Sequence, residues 1–279
     1  MYFAVETPFG PNHDEGDGLV KQAYKTLRVD VEDGIARVTF RRDKDTNAFC
    51  RDMTLDLTDV CRKAAQDELS FEPRIAALVL TGGTGRSFSV GGDFNDVSVL
   101  EHEHEVRPWL GEIIDLYIAI LSVNVPVVAA MDRFAIGQGL QVALMSDWRI
   151  GTTECRLSMP ELKNGVACPL GSVILEVLLG RSKMLELLLD CEFIDADAGR
   201  ALCLLNEITA PSELEAAAVR AAKRLATYPR TPYVTTKRIH NGRFIAALEE
   251  VREPSSQAHA ASFKQHTGKA HFDKILKRA

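Results

Sequence analysis

The sequence predicts an α/β fold, because short apolar runs alternate with stretches of helical spacing through the first two-thirds of the chain. Residues 75–80 and 126–130 are short apolar runs that polar or glycine residues stop, as expected for buried strands. Residues 104–123 repeat apolar side chains at helical spacing. After Gly165 helical spacing dominates. We therefore predict an α/β domain followed by a helical C-terminal region.

The other elements follow the same two periodicities. Residues 26–31 and 35–40 alternate around a central turn signal, which predicts a hairpin. A helix is expected over 52–68, and residues 87–94 are expected to form a short strand that runs into a glycine turn. Four helices are predicted in the C-terminal third. Their expected ranges, with a break at Thr231-Pro232 before the last, are 171–189, 195–205, 212–227 and 242–267.

The composition argues against several classes of function. A formal net charge of -6 at pH 7 disfavours a general nucleic-acid binder. Residues 1–22 are acidic, lack the pattern of a secretory signal and are expected to form a loose leader. The most apolar stretch, 113–131, is interrupted by polar residues, which argues against a membrane span. The six cysteines include no C-x-x-C pair, so we expect reduced thiols and a cytoplasmic protein.

Two glycine-containing loops lie next to predicted strands and carry the candidate chemistry. In one of them, Gly137 and Gly139 permit a tight turn, and a helix that starts there leaves the amides near Gln138 unpaired. Such amides stabilise negative charge. Together with the loop at 91–92 and the carboxylate of Glu161, they predict an anion hole that faces one acid.

Other glycine and catalytic motifs are incomplete. A dinucleotide fingerprint would need a third glycine where Val142 stands, and residues 82–86 lack the Lys-Ser/Thr of a P-loop. No G-x-S-x-G or H-E-x-x-H motif occurs, so a serine-hydrolase elbow and a zincin site are unsupported. No metal is expected.

Four segments, in the same order, resemble the crotonase (enoyl-CoA hydratase/isomerase) superfamily. They are residues 86–94 (RSFSVGGDF), 125–130 (VPVVAA), 135–139 (AIGQG) and 159–162 (MPEL). The resemblance covers about residues 26–275. It implies a twisted ββα spiral over 23–210 and a helical trimerisation or lid region over 211–279, in a trimer or hexamer. It also implies a thioester enolate held by the amides of Gly92 and Gln138.

One position separates this chain from the hydratases of the superfamily, which usually carry two glutamates. The matching positions here are Gln141 and Glu161. Gln141 has no titratable proton, whereas adding water across a double bond needs both an acid and a base. A standard hydratase is therefore not expected.

Within the superfamily, the chain closely resembles the carboxymethylproline synthases of carbapenem biosynthesis, which also have Gln and Glu at these two positions. Further matching segments are 114–117 (IDLY), 236–238 (TKR), 256–263 (SQAHAASF) and 271–272 (HF). This resemblance implies that malonyl-CoA is decarboxylated and its enolate added to a cyclic imino acid, pyrroline-5-carboxylate. The CoA thioester is then a substrate, and no cofactor is tightly bound. One departure is Gln138, where members of that group have Met.

The resemblance also suggests roles for individual side chains. Glu161 and Gln141 would orient the malonyl carboxylate or the iminium, and Glu161 would manage a proton. His259 would bind the carboxylate of the imino acid or hydrogen-bond near it, and Trp109 would line the acyl pocket. The candidate cations for the CoA phosphates are Arg41, Arg42, Lys44, Lys237 and Arg238.

Simpler roles stay open for the same residues. Glu161 also suits the start of a helix, where the dipole favours a carboxylate. Gln141 and His259 are then ordinary structural side chains, and Trp109 is ordinary packing. The alternative functions are an enoyl-CoA isomerase, a malonyl-type decarboxylase or thioesterase, and a non-catalytic crotonase-fold scaffold.

Overall fold

The computed structural model describes residues 24–42, 46–65, 74–100 and 102–264. The predicted leader over 1–22, the candidate ligand Lys44 and the similarity at 271–272 lie outside the described residues. The strands are β1 (Leu27–Glu32), β2 (Ile35–Phe40), β3 (Ala77–Thr81), β4 (Val127–Met131), β5 (Phe134–Ile136), β6 (Trp148–Thr152), β7 (Arg156–Ser158), β8 (Ile194–Asp195) and β9 (Glu207–Thr209). The α-helices are α1 (Arg51–Ala65), α2 (Phe94–Val97), α3 (Glu103–Leu121), α4 (Gln138–Leu144), α5 (Pro169–Leu179), α6 (Arg181–Asp190), α7 (Ala196–Ala201), α8 (Leu214–Ala226) and α9 (Arg230–Lys264). None of the helices in these ranges combines the length and the apolar character that crossing a membrane requires.

A six-stranded sheet, in the order β1-β2-β3-β4-β6-β9, forms the centre of the fold. β1 and β2 form the predicted hairpin, and its turn residues Asp33 and Gly34 have φ of 51° and 75°. Positive φ at both positions is what a two-residue type I′ turn requires. The later strands are each parallel to their neighbour, so the chain crosses over between them through helices and loops.

The sheet is buried on both faces, as β3 shows. Leu78 and Leu80 belong to the main core with α1 and α3, whereas Ala77 and Val79 pack in a second cluster against α8. Side chains alternate between the two faces of a strand, so a continuous apolar run supplies both clusters. This arrangement confirms the buried strand predicted at 75–80.

A second sheet, β5-β7-β8, brings two loops to one edge. β5 and β7 are parallel, with Ile136 opposite Ser158, so their carboxyl ends point the same way. The amide of Gly137, just after β5, donates to Ser158 O at 2.9 Å. The chain beyond β5 and the chain beyond β7 therefore begin side by side, at the point where α4 starts.

Residues 87–94 do not form the predicted strand. Ser89 and Gly92 each make one isolated parallel bridge instead. Between them Gly91 has φ of +96°, which interrupts the extended backbone. The segment packs tightly on the start of α4, where a Cβ on Gly139 would lie only 2.6 Å from the Cβ of Ser89.

Two predicted helix boundaries are also wrong. The helix expected at 171–189 is two helices, α5 and α6, because Gly180 between them has φ 78° and ψ 161°, outside the helical region. α9 begins at Arg230 and runs through the break predicted at Thr231-Pro232. Proline is tolerated there because the first turn of a helix has N–H groups without intrahelical acceptors. Strands β6 to β9 are two to five residues long, too short for a period to reveal them.

Candidate active site

The loops that carry Gly92 and Gln138 meet at one cavity. Gly137, between β5 and α4, has φ 51° and ψ −123°, a conformation essentially restricted to glycine. The other loop approaches it closely, since a Cβ on Gly91 would lie 3.0 Å from Ile136 O and 3.7 Å from Gln138 N. Both loops line the cavity.

The amides of Gly92 and Gln138 have no acceptor among the described residues. The first hydrogen bond within α4 runs from Gln141 N to Gly137 O at 2.9 Å, so the Gln138 N–H lies ahead of the helical ladder. Gly92 sits in a bridge whose two hydrogen bonds use the carbonyl before it and the amide after it. Two unpaired backbone donors therefore lie beside the same cavity.

Glu161 follows β7 and brings a carboxyl group to this place. A Cβ on Gly137 would lie 3.1 Å from Glu161 Oε1. Oε2 is buried and has no hydrogen-bond partner among the described residues. Burial raises the pKa of Glu161 from 4.5 to about 7, because the charged form loses its hydration there. The side chain does not cap the 3₁₀ turn Leu162–Asn164 that follows, so the helix-start role is not observed.

Gln141 is hydrogen-bonded at both ends of its amide. The phenol of Tyr117 donates to Gln141 Oε1 at 2.7 Å, and Gln141 Nε2 donates to Glu161 Oε1 at 2.8 Å. Tyr117, on α3, is fully buried, and this burial raises its pKa well above 10. The phenol therefore keeps its proton. While it donates to the amide oxygen, the amide NH₂ group faces Glu161.

Cys168 lies next to Glu161 on the side of α5. It is buried directly before that helix, and its nearby thiol lowers the pKa of Glu161. Burial, and then the neighbouring carboxylate, raise the pKa of the Cys168 thiol well above its usual value. All six cysteines of the chain are free, and five are buried while Cys203 is exposed.

His259 and Trp109 meet in the cavity wall, with their ring centroids 6.0 Å apart. Burial lowers the pKa of His259, so its ring is neutral near pH 7. Nδ1 lies 2.8 Å from Ser255 O. Because a carbonyl can only accept, Nδ1 carries the hydrogen and Nε2 is an acceptor. Phe263 packs against both rings.

The rest of the cavity is mainly apolar. In the part of the chain that the structure describes, its lining contains one carboxylate, Glu161, and no Lys or Arg. The Gln138 side chain is buried beside it, with Nε2 3.5 Å from Thr54 Oγ1. Among the described residues, no three His, Cys, Asp or Glu side chains gather as a metal site. A bound thioester would meet hydrogen-bond donors here but no cationic side chain.

Comparison with protein families matches most of the chain to one family. The enoyl-CoA hydratase/isomerase family model covers residues 30–276. The chain belongs to the enoyl-CoA hydratase/isomerase family. It is therefore an enzyme of the crotonase superfamily, whose members use CoA thioesters, and the predicted fold class is confirmed.

Some of the proteins that are similar to this chain have more specific names. The carboxymethylproline synthase of Pectobacterium carotovorum subsp. carotovorum is 36% identical over 244 residues, covering 88% of this chain and 96% of that protein. The structure of ThnE from S. clavuligerus matches with a TM-score of 0.71 and 32% identity, over 83% of this chain and 100% of that one. The crotonyl-CoA hydratase of Syntrophomonas wolfei subsp. wolfei is 28% identical, over 69% of this chain and 72% of that protein. An enoyl-CoA hydratase/isomerase structure from Mycobacterium paratuberculosis, at 22% identity and a TM-score of 0.80 over 91% of this chain and 100% of that one, shows the fold alone.

Two of the cations predicted to bind CoA phosphates are engaged elsewhere. Lys237 is buried, and its Nζ donates to Asp147 Oδ2 at 2.6 Å and to Val125 O at 3.1 Å. Arg238 donates to Asn124 Oδ1 at 2.8 and 3.2 Å. Asn124 and Val125 lie just before β4, and Asp147 lies directly before β6. Neither cation lines the cavity. Lys237 therefore forms an ion pair within the fold, and its contact with a CoA phosphate stays a prediction.

The loop after β2 holds the remaining candidates. Arg41 is exposed, and Lys44 lies outside the described residues. Arg42 forms an ion pair with Asp93 at 2.5 Å. Since Asp93 directly follows Gly92, this ion pair braces the loop that carries one of the two unpaired amides. Among the described candidates in this loop, Arg42 is linked to the site through this ion pair.

The sequence analysis includes Tyr117 only within the matching segment 114–117 and names neither Tyr117 nor Cys168 as a site residue. Tyr117 is one of several apolar-spaced positions on α3, and Cys168 is one of six scattered cysteines. The usable signal for Tyr117 was its place in a fully apolar stripe, because a buried phenol needs a hydrogen-bond partner. For Cys168 the signal was a thiol directly before a proline at the start of a helix.

Proposed function

We propose that this enzyme forms a carbon–carbon bond by decarboxylating malonyl-CoA and adding the resulting enolate to pyrroline-5-carboxylate. The observation that carries the proposal is the Gln141–Glu161 pair, in which an amide holds a single acid beside two unpaired backbone donors. A relative named carboxymethylproline synthase, 36% identical to this chain, supports the same reaction.

Decarboxylation uses the amides of Gly92 and Gln138. The thioester oxygen accepts a hydrogen bond from each, the bond to the malonyl carboxylate breaks, and its electron pair forms the enolate as CO₂ leaves. One such donor contributes about 3–4 kcal/mol to stabilising the transition state. The described lining of the cavity contains no Lys or Arg that could pair with the malonyl carboxylate. The enzyme therefore stabilises the transition state most strongly at the thioester oxygen, which gains negative charge.

Bond formation uses the polar side chains of Glu161 and His259. The enolate carbon attacks the ring carbon of the iminium, the C=N pair moves to nitrogen, and the thioester carbonyl re-forms. Glu161, with a pKa of about 7, is substantially ionised at neutral pH and favours the cationic iminium. The acceptor Nε2 of His259 suits the iminium N–H better than the carboxylate of the imino acid. Trp109 lines the acyl pocket.

Product analysis tests the proposal. With malonyl-CoA and pyrroline-5-carboxylate together, mass spectrometry is expected to detect carboxymethylproline, with one CO₂ released per product. Acetyl-CoA released at the same rate with and without the imino acid would instead identify a decarboxylase. Free malonate would identify a thioesterase. Unchanged turnover in Glu161→Ala would contradict the chemistry assigned to Glu161, and the absence of turnover with any of these thioesters would favour a scaffold.

An enoyl-CoA isomerase is the second candidate. A single glutamate whose pKa is about 7 can take a proton from one carbon and return it to another. Migration of the double bond in a 3-enoyl-CoA, without any carbon–carbon product from malonyl-CoA, would establish this alternative.

We also propose that the enzyme assembles as a trimer or a pair of trimers, with residues 211–279 as the trimerisation or lid region. Exposed apolar side chains support an assembly, since Leu189, Phe193 and Ile239 are 70%, 59% and 65% exposed in the single chain. The lid role is supported by α9, which supplies His259 and Phe263 to the cavity. The cytoplasmic location is proposed on composition alone.

A further inference from the structure

We infer that Asn164 is a further substrate-binding residue, whose side-chain amide donates to the carboxylate of the imino acid. The inference rests on the proposed function, because it needs an acceptor substrate that carries a carboxylate. Asn164 lies two residues beyond the matching segment 159–162. It lines the same cavity as Glu161.

The turn after Glu161 places Asn164 on the inner face of the chain. Glu161 directly precedes the 3₁₀ turn Leu162–Asn164 and itself has φ −54° and ψ −47°. Side chains three residues apart lie on the same side of a 3₁₀ helix, about 6 Å apart along its axis. Leu162 and Lys163, which lie between the two, are exposed, and Lys163 Nζ pairs with Glu192 at 3.2 Å on the surface. Asn164 therefore shares the cavity side of the turn with the acid.

The backbone alone holds this turn together. The amide of Asn164 donates to Pro160 O at 3.1 Å and to Glu161 O at 3.0 Å, and the amide of Val166 donates to Glu161 O at 2.9 Å. Gly165 ends the turn with φ of 72°. The side-chain amide of Asn164 makes no hydrogen bond with the other described residues, so it is available to a ligand.

The other side-chain amides in the described lining of the cavity face protein groups. Gln141 Nε2 donates to Glu161 Oε1 at 2.8 Å, and Gln138 Nε2 lies 3.5 Å from Thr54 Oγ1. The same lining contains no Lys or Arg. A carboxylate that leaves water for this cavity needs hydrogen bonds in place of its hydration. The NH₂ group of Asn164 supplies two donors for this purpose.

An acid and an amide on one face match the charges of the imino acid. In pyrroline-5-carboxylate the ring nitrogen and the carboxylate are attached to the same carbon atom. When the imine is protonated, the cationic nitrogen is favoured by the carboxylate of Glu161, and the anionic group is held by the amide of Asn164. The turn thus selects a cyclic imine that has a carboxylate next to its nitrogen.

Kinetics with and without the substrate carboxylate test the inference. 1-Pyrroline has the same ring and imine but no carboxylate. Asn164→Ala is expected to raise KM for pyrroline-5-carboxylate about ten- to a hundredfold, and to leave KM for 1-pyrroline and for malonyl-CoA unchanged. Asn164→Asp has nearly the same shape but a negative charge. It is expected to raise KM for pyrroline-5-carboxylate further without raising KM for 1-pyrroline, which binds as a cation.

Lys163→Ala is the matched control, because it removes the neighbouring side chain on the outer face of the turn. Its KM values are expected to equal those of the parent enzyme. A structural role of Asn164 would weaken both imines alike, so an equal rise in the two KM values, or no rise, overturns the inference. If Asn164→Ala does not fold, the opposite response of the two imines in Asn164→Asp decides.

Calorimetry with L-proline separates this site from the reaction. Proline carries its carboxylate beside the ring nitrogen, and pyrrolidine lacks the carboxylate. The parent enzyme is expected to bind proline more tightly than pyrrolidine in the presence of acetyl-CoA, and Asn164→Ala is expected to lose this preference. If it does so but the parent forms no carboxymethylproline, the proposed function fails while the role of Asn164 stands. If carboxymethylproline forms and the preference survives in Asn164→Ala, the role of Asn164 fails alone. A parent with neither product nor preference overturns both.

Discussion

At Glu161, burial opposes ionisation while the Gln141 amide and the Cys168 thiol favour it, and the pKa settles near neutrality. An exposed glutamate is almost fully ionised at pH 7 and holds a proton too weakly to return it to a substrate. The buried one is partly protonated under the same conditions. Lost hydration therefore gives this single side chain the capacity to act as an acid or as a base.

The same burial predicts that replacing Glu161 stabilises the protein at high pH. Its folded-state pKa lies above the unfolded value of 4.5, so its contribution to stability falls as the pH rises from 4.5 to 7 and the full penalty applies above 7. Glu161→Gln is expected to raise the free energy of unfolding by roughly 2–3 kcal/mol at pH 8, and by much less at pH 5. Urea unfolding at both pH values measures this gain.

Turnover of Glu161→Gln is expected to fall at least a hundredfold, because it lacks the titratable group. Glu176→Gln, exposed on α5, is the control and is expected to leave stability and turnover unchanged. A gain for Glu161→Gln that is equally large at pH 5 and pH 8 would contradict a charge effect.

Tyr117→Phe tests the orientation of the Gln141 amide. Without the phenol, Gln141 Oε1 loses its donor and the amide can rotate away from Glu161. We expect kcat to fall about tenfold with KM little changed, and unfolding to become easier by about 1–2 kcal/mol. Tyr24→Phe, which removes a hydrogen bond to Asp59 far along the chain from the site, is expected to leave kcat unchanged. Equal kcat values in the two variants would contradict the assignment.

Among the elements, the connection from β5 to α4 controls the site through one backbone conformation. Gly137 has φ 51° and ψ −123°, and a Cβ there would lie 3.1 Å from Glu161 Oε1. Gly137→Ala is expected to move the Gln138 amide, lower kcat by about 10²–10³-fold and destabilise the fold by about 1–3 kcal/mol. Steady-state kinetics and thermal unfolding measure the two effects.

Gly180→Ala provides a matched control for Gly137→Ala. Gly180 also has a positive φ, 78°, but a Cβ there would meet nothing within 4 Å. It lies between α5 and α6 and does not line the cavity. We expect a loss of stability without a loss of kcat. A comparable loss of kcat in this variant would show that the effect at Gly137 is general destabilisation.

The ion pair between Lys237 and Asp147 ties α9 to the chain around β4. Lys237→Ala leaves the Asp147 carboxylate partly buried without its cation, which is expected to destabilise the fold by about 3 kcal/mol. Because Lys237 does not reach the cavity, KM for malonyl-CoA is expected to stay the same at a temperature where the variant is folded. A large rise in KM with unchanged stability would restore the phosphate role that the sequence suggests.

At the scale of the whole molecule, the site collects groups from five separate stretches of chain. The loop before α2 supplies one amide, the turn before α4 the other, and the loop after β7 the acid. α3 brings Tyr117 and Trp109, and α9 returns across the fold to add His259 and Phe263. Each group is anchored on an element of the packed core, so the cavity depends on the complete fold.

The apolar surface near β5 and β8 predicts an oligomer. The ring centroids of Phe134 and Phe193 lie 6.0 Å apart with the ring planes tilted, and both side chains are exposed in the single chain. Light scattering after size-exclusion chromatography is expected to give three or six times the mass of one chain. Phe193→Asp is expected to shift this mass towards the single chain. A parent enzyme with the mass of one chain would contradict the proposed assembly.

Periodicity was enough for the long elements but not for the short ones. The hairpin and helices α1, α3 and α8 extend over enough residues to show a period, whereas β3 and β4 are recognised as continuous apolar runs. The structure has all of them close to the predicted bounds. β7 and β8 are three and two residues long, so pairing with neighbours alone defines them. The helix break at Gly180 depended on one φ angle, which composition does not reveal.

The sequence by itself indicated the α/β fold and the family, and through the family resemblance it named Gly92, Gln138, Gln141 and Glu161 as site residues, because these depend on residue types and spacings along the chain. The tertiary structure alone decided which groups share a site. Parallel β5 and β7 bring the Gln138 amide and Glu161 together, although 23 residues separate them in the chain. It also showed the ion pair of Lys237 with Asp147 and brought Tyr117 and Cys168 to the cavity. The physical reason is that burial and hydrogen bonding belong to packed neighbours, and only the folded chain defines those neighbours.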